Sequence, residues 1–165
     1  MNYYFYDKVN SMISHYNPKR YWKFKRSLAL KEGCKLFRLW KLLYLKRSDS
    51  FNCASLGHRL DRNGGSLFKS TPFLPHGIKG IFISDYAVIG SGAVIYQGVT
   101  IGKNGENCDA PIIGDNVFVG AGAVIIGKIR IGNNVKIGAN CVVFFDVPDN
   151  CTVVLEHPRV IMKRK

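Results

Sequence analysis

The sequence predicts an all-β chain wound as a parallel β-helix of six-residue repeats, preceded by a short, basic, mainly helical segment. Three observations carry this. First, an aliphatic residue recurs at every sixth position: Ile83, Ile89, Ile95, Ile101, Ile113, Val119, Ile125, Ile131, Ile137 and Val143. The single missed beat, from Ile101 to Ile113, is twelve residues long, so the phase survives it. Second, small or aliphatic residues hold the fifth place of the repeats, at Ala87, Ala93, Val99, Val117, Ala123, Ile129, Val135, Cys141 and Val147. A period of six fits neither an α-helix nor an alternating strand. Third, eleven Lys or Arg residues lie between Pro18 and Arg47, against one acid, Glu32.

The elements follow in order. Pro18 suits the first turn of a helix, where its missing N–H costs nothing. From Tyr21 to Lys46 the pattern is helical, and Gly33 divides it into two helices. Leu36, Leu39, Trp40 and Leu43 share one face by three–four spacing. The simplest expectation is that this face packs on the solenoid and leaves the Lys and Arg side chains in water. From Ser48 to Pro75 the composition shifts to Ser, Asn, Gly and Pro, a connecting stretch with a first irregular coil turn. The division is thus 1–70, helical segment and linker, and 71–165, β-helix.

Within the β-helix, the leading aliphatic and the fifth-position residue of each hexad point inward. The G-x-G, G-D-N and G-N-N units supply corners, since Gly and Asn adopt positive φ cheaply. Stacked coils bury one continuous aliphatic core that no single repeat could bury alone. The segment Lys103–Ile112 leaves the repeat as a loop, and loops on solenoids commonly border binding grooves.

The bulk properties restrict the partners. With 24 Lys and Arg against 11 Asp and Glu the formal charge is +13, which favours anionic lipid, nucleic acid or a phosphorylated cofactor. Five cysteines without a C-x-x-C pair read as reduced thiols of a cytoplasmic protein. The opening MNYYFYDKVN lacks the apolar stretch of a secretory signal. No apolar run is long enough to span a bilayer. No histidine lies between Gly77 and Glu156, and His15, His58 and His157 are dispersed, so no metal site is expected.

Several segments resemble a known family. They are L-P-H-G-I-K-G-I-F-I-S (Leu74 to Ser84), Q-G-V-T-I-G (Gln97 to Gly102) and A-P-I-I-G-D-N-V-F-V-G-A-G-A (Ala110 to Ala123). V-K-I-G-A-N-C-V-V (Val135 to Val143), D-V-P-D-N (Asp146 to Asn150) and H-P-R-V-I (His157 to Ile161) continue the series. Together they resemble the hexapeptide-repeat acyltransferases, and among these the serine acetyltransferase-like O-acetyltransferases. The basic leader is similar to that of bacterial cell-surface polysaccharide O-acetyltransferases. The resemblance implies a left-handed β-helix with three strands per coil. It also implies a homotrimer with acetyl-CoA in grooves between neighbouring subunits.

The resemblance also assigns residues. His76 matches the catalytic base, an imidazole able to take a proton from an attacking hydroxyl. Serine acetyltransferases have one residue fewer between this His and the following Gly. Asp61, fifteen residues earlier, stands where a carboxylate would orient the imidazole. Gly102 and Lys103 match the segment beside the thioester, where a backbone N–H can stabilise the oxyanion. Ala121 and Ala139 match the path of the pantetheine arm, and Lys136 and Arg159 match bases near the cofactor phosphates. Serine acetyltransferases carry a histidine before the loop proline that helps hold the amino-acid carboxylate; here Ala110 precedes Pro111. That departure favours a sugar hydroxyl of a surface polysaccharide as acceptor, with the serine O-acetyltransferase of cysteine biosynthesis as the alternative. Cys108 reads as a free thiol and not an acyl carrier. A non-catalytic basic scaffold is the remaining reading. For residues 18–47 the order of expectation is a helical cap, then contact with an anionic membrane surface at the inner face, then nucleic-acid binding, for which no motif exists.

Overall fold

A computed structural model describes residues 11–60, 65–105 and 108–156. Helices α1 (Pro18–Ala29) and α2 (Lys35–Phe51) precede twelve short strands among the described residues. The strands are β1 (Leu67–Phe68), β2 (Phe82–Ile83), β3 (Val88–Ile89), β4 (Val94–Ile95), β5 (Thr100–Gly102) and β6 (Ile112–Ile113), followed by β7 (Phe118–Val119), β8 (Val124–Ile126), β9 (Arg130–Ile131), β10 (Lys136–Ile137), β11 (Val142–Val143) and β12 (Thr152–Val153). They form three parallel sheets, the faces of a triangular prism. The first face is β2-β5-β8-β11, the second β1-β3-β6-β9 and the third β4-β7-β10-β12. The solenoid winds left-handed.

The hexad explains the register. Phe82 pairs with Thr100, Val124 with Val142 and Ile112 with Arg130, each a step of three hexads. Each hexad makes one side, so its leading aliphatic lands on the same inward column every third repeat. Ile89, Ile101, Ile125, Ile131, Ile137 and Val143 are fully buried, and so are the fifth-position Ala87, Val99, Val117, Ala123 and Val135. Burying one such Ile or Val is worth roughly 1.5–3 kcal/mol.

The corner between the second and third faces shows how the turns stack. Ser91 N–H donates to Asp115 Oδ1, Asp115 N–H to Asn133 Oδ1 and Asn133 N–H to Asp149 Oδ1, each at 2.8 Å. These bonds hold the Asp115 and Asp149 carboxyls below their ordinary range. The next residues, Asn116, Asn134 and Asn150, adopt φ of 57°, 55° and 61°, a left-handed conformation that Asn tolerates. Gly92 takes the same place one coil earlier at φ 69°, and a Cβ there would sit 2.4 Å from Asn116 Oδ1.

The first coil begins ahead of residue 71. Ser55 bridges Phe82, Leu67 and Phe68 pair with Val88 and Ile89, and Phe73 bridges Val94. The connecting stretch thus supplies an irregular starting turn.

The helices start as the sequence indicates, but α2 runs on to Phe51, past Lys46 and into the stretch read as connecting. Asn17 Oδ1 accepts from Arg20 N–H at 3.0 Å, and Pro18 opens the first turn. Lys31 (φ 56°) and Gly33 (φ 89°) turn the chain between α1 and α2. The orientation of α2 corrects the expectation of a cap with its apolar face inward. Leu36, Leu39, Trp40 and Leu43 are exposed, at 77%, 41%, 52% and 59%. Lys41, Leu45, Ser48 and Asp49 face inward instead, and Lys25 of α1 is buried with them. The reason is the polar seam beneath. Lys41 Nζ donates to Ser27 Oγ, Ser48 Oγ to His15 O at 2.9 Å, and Asp49 receives Tyr21 O–H and Leu56 N–H. Leaving such groups buried without partners costs more than exposing leucines. Once that arc points inward, helical periodicity sends the opposite stripe to solvent.

Candidate active site

His76 sits where the corner between the third and first faces is longest. From Phe73 to Phe82 this corner takes three more residues than the matching path from Val94 to Thr100. The excess is Pro75, His76 and Gly77, a turn closed by Gly77 N–H donating to Leu74 O at 3.1 Å. The turn carries the imidazole outward into solvent. Its ring lies 5.8 Å, centroid to centroid, from Tyr96, which in turn lies 5.3 Å from Phe118.

The same corner carries Ala121 and Ala139. Gly98 N–H donates to Lys79 O, Gly122 N–H to Gln97 O and Asn140 N–H to Ala121 O, at 3.2, 3.0 and 2.8 Å. These rungs stack Lys79, Gln97, Ala121 and Ala139 into one edge of the prism, below His76. Only methyl groups project at the two alanines, so the edge stays open to an extended chain. Lys136 is exposed on the third face beside that edge, in β10.

Gly102 and Lys103 lie on the opposite edge of the first face. Gly102 ends β5 in register with Ile126, and the exposed Lys103 places Nζ 5.7 Å from the Tyr86 ring centroid. A single protomer therefore does not bring His76 to Gly102 and Lys103. The loop between β5 and β6 starts here; Cys108 is exposed and Ala110 buried. Asp61 and Arg159 lie outside the described residues, as does His157.

A groove of about 450 Å³ opens on the first face at the edge bearing Lys103. Ser55, Phe82 and Thr100 form its floor, and Lys46, Arg59 and Lys103 its rim. Arg59 Nη1 meets Asp85 Oδ2 at 2.7 Å. Asp85 also lines the groove and offsets Arg59, so the net positive charge of the rim comes from Lys46 and Lys103. His76 does not line this groove.

Sequence reasoning missed a buried polar cluster that seats both helices on the first coil. Lys25 Nζ donates to Leu56 O and Ser66 Oγ at 3.0 Å and to His58 Nδ1 at 3.3 Å. His58 Nε2 lies 2.7 Å from Tyr21 Oη and 3.3 Å from Asp49 Oδ2. Burial lowers the Lys25 pKa to about 7, with Asp49 opposing. Burial, then the Lys25 charge, lowers His58 to about 4, again against Asp49. Burial and the Asp49 charge push Tyr21 well above its ordinary value. These residues come from two helices and a coil, with no spacing signal to join them. Their packing encloses them, which makes the cluster a clamp.

Among the described residues no group of three or more His, Cys, Asp or Glu side chains is placed to hold a metal ion. Nor is any described helix long and apolar enough to cross a membrane. The five cysteines form no disulfide.

Residues 110–144 match the family described as bacterial transferase hexapeptide (six repeats). Over 93 residues, 55% of this chain and 38% of the relative, the sequence is 47% identical to a serine acetyltransferase of Synechococcus elongatus. Over 151 residues, 90% of this chain and 62% of the relative, it is 34% identical to a serine acetyltransferase of Staphylococcus epidermidis. Among solved structures, serine acetyltransferase isoform 3 of Entamoeba histolytica in complex with cysteine is similar with a TM-score of 0.68 and 32% identity, over 86% of this chain and 49% of that one. Soybean serine acetyltransferase complexed with serine is similar with a TM-score of 0.67 and 28% identity, over 86% of this chain and 56% of that one. The chain spans less than two thirds of the length of each.

Proposed function

We propose that this chain, a serine acetyltransferase-like hexapeptide-repeat protein, moves the acetyl group of acetyl-CoA to an acceptor hydroxyl in one direct step. The observation that carries the reading is the shared edge of His76, Ala121 and Ala139. It sets a solvent-facing imidazole at the head of a groove wall built from small residues. Acetyl-CoA would run along this edge, with Lys136, and Arg159 from outside the described residues, near its phosphates.

The step needs a base and an oxyanion partner. His76 takes the proton of the acceptor hydroxyl while that oxygen attacks the thioester carbonyl. Backbone N–H groups beside Gly102 and Lys103 hold the oxyanion. Collapse of the tetrahedral intermediate expels the CoA thiolate, which takes the proton back from the imidazolium. The products are an acetyl ester and CoA thiol. Asp61 would orient the imidazole.

His76 and Gly102 occupy opposite edges of the first face, so the complete site needs two copies. A homotrimer supplies it, with the His76 edge of one protomer facing the Lys103 edge of the next. Light scattering reads this directly, and a monomer in solution rules out such a shared site.

L-serine is the acceptor better supported. The relatives are named serine acetyltransferases, and one solved neighbour holds serine. That support ranks serine ahead of the polysaccharide sugar, the acceptor suggested by Ala110 and the basic leader. Lys46 and Lys103 on the groove rim offer a carboxylate the charge that the absent loop histidine would have given.

The test is CoA-thiol release over a panel of L-serine, free sugars and glycan fragments. Serine should turn over fastest; a sugar outpacing it overturns the acceptor. His76→Ala should lower the rate by about 10²–10⁴-fold. Full activity in that variant overturns the base assignment.

A further inference from the structure

We propose that the outward face of α2 is a docking surface for an anionic lipid bilayer. The inference stands apart from the catalytic reading and rests on the unexpected rotation of this helix.

Leu36, Leu39, Trp40 and Leu43 form one exposed stripe over successive turns of α2. Phe37, also exposed, stacks on Trp40 with ring centroids 5.8 Å apart and planes 13° apart, which widens the stripe. Soluble surfaces rarely hold so many large apolar side chains side by side without a partner. The seam does not need them, because Lys41, Leu45, Ser48 and Asp49 occupy the inward arc.

Charge selects the occupant. Lys35 and Arg47 of α2 and Lys31 of the preceding turn are exposed, and among the described residues from Pro18 to Phe51 Glu32 is the one exposed acid. Asp49, the other acid of this segment, is buried in the seam on the opposite side. Two copies of this face brought together would oppose cation to cation, which disfavours self-association through it. An anionic lipid surface suits both features. Trp, Phe and Leu enter the boundary of headgroups and acyl chains while Lys and Arg meet lipid phosphates. The helix has 17 residues and carries charge along its length, so it would lie in the surface and not cross it.

The test mixes the purified full chain with vesicles of phosphatidylcholine containing phosphatidylglycerol, and with vesicles of phosphatidylcholine alone. The chain should sediment with the anionic vesicles and much less with the neutral ones. Trp40 fluorescence should shift to the blue and be quenched by brominated lipid, while Trp22, already buried, stays insensitive. The double variant Trp40→Ser, Leu43→Ser should lose on the order of tenfold in vesicle affinity with an unchanged thermal midpoint. Should it fail to fold, Lys35→Glu with Arg47→Glu probes the same surface through charge and should also bind more weakly. Equal binding to both vesicle types overturns the proposal. So does full binding by either folded variant, which would put the contact elsewhere. A change of oligomeric size in the serine variant overturns it too, since the stripe would then be covered by a second copy.

Discussion

The solenoid and the helical leader both carry apolar stripes of strict period, yet they use them in opposite directions. Every leading aliphatic of the described hexads points into the prism. In α2 the most apolar stripe points to water, and a lysine, a serine and an aspartate point in. The difference lies in how "inside" is defined. A hexad has one geometry, repeated on coils that differ by one register step, so its inner column is set locally. A lone helix has several possible inner faces, and the chemistry of what it meets chooses among them. Here the choice was made by Tyr21, His58 and Leu56 N–H, which offer Asp49 partners that water-excluded leucines could not replace.

That contrast can be broken most forcefully at Asp49. Asp49→Ala leaves Lys25 buried beside a neutral ring, and removing one partner of a buried charged network costs about 3–5 kcal/mol. Urea unfolding should show this loss, and hydrogen exchange should place it in α1 and α2 while the amides of β7 to β11 keep their protection. Equal loss of protection along the whole prism would mean that leader and solenoid fold as one unit.

Acid sharpens the contrast next. His58 is held near 4, down from 6.5, by burial and then by Lys25. Between those values the unfolded chain binds a proton that the folded chain refuses. Stability therefore falls as pH drops from 6.5 toward 4, by about 3 kcal/mol across the full window. A urea midpoint that does not move over this range contradicts a buried neutral imidazole.

The smallest effect is expected on the outward stripe. Leu43→Ser should change stability by no more than about 0.5 kcal/mol, in contrast to the several kcal/mol of a buried leucine. A large loss in urea unfolding would show that a partner covers the stripe in solution.

His76, Ala121 and Ala139 were legible because the motif carries them, and the hexad count already puts the two alanines on one edge. The groove rim was not legible. Lys46 lies within α2, Arg59 belongs to an irregular coil and Lys103 starts a loop, and no common spacing connects them. The separation of His76 from Gly102 by the width of a face is likewise a matter of three dimensions.

By itself the sequence determined the prism: the six-residue beat sets coil size, inward columns and corner residues, because each repeat buries its aliphatics against near-copies of itself. Only the tertiary structure decided which way α2 faces and which residues meet under it. A buried charge accepts few partners, and those partners were drawn from distant parts of the chain that no local pattern could pair.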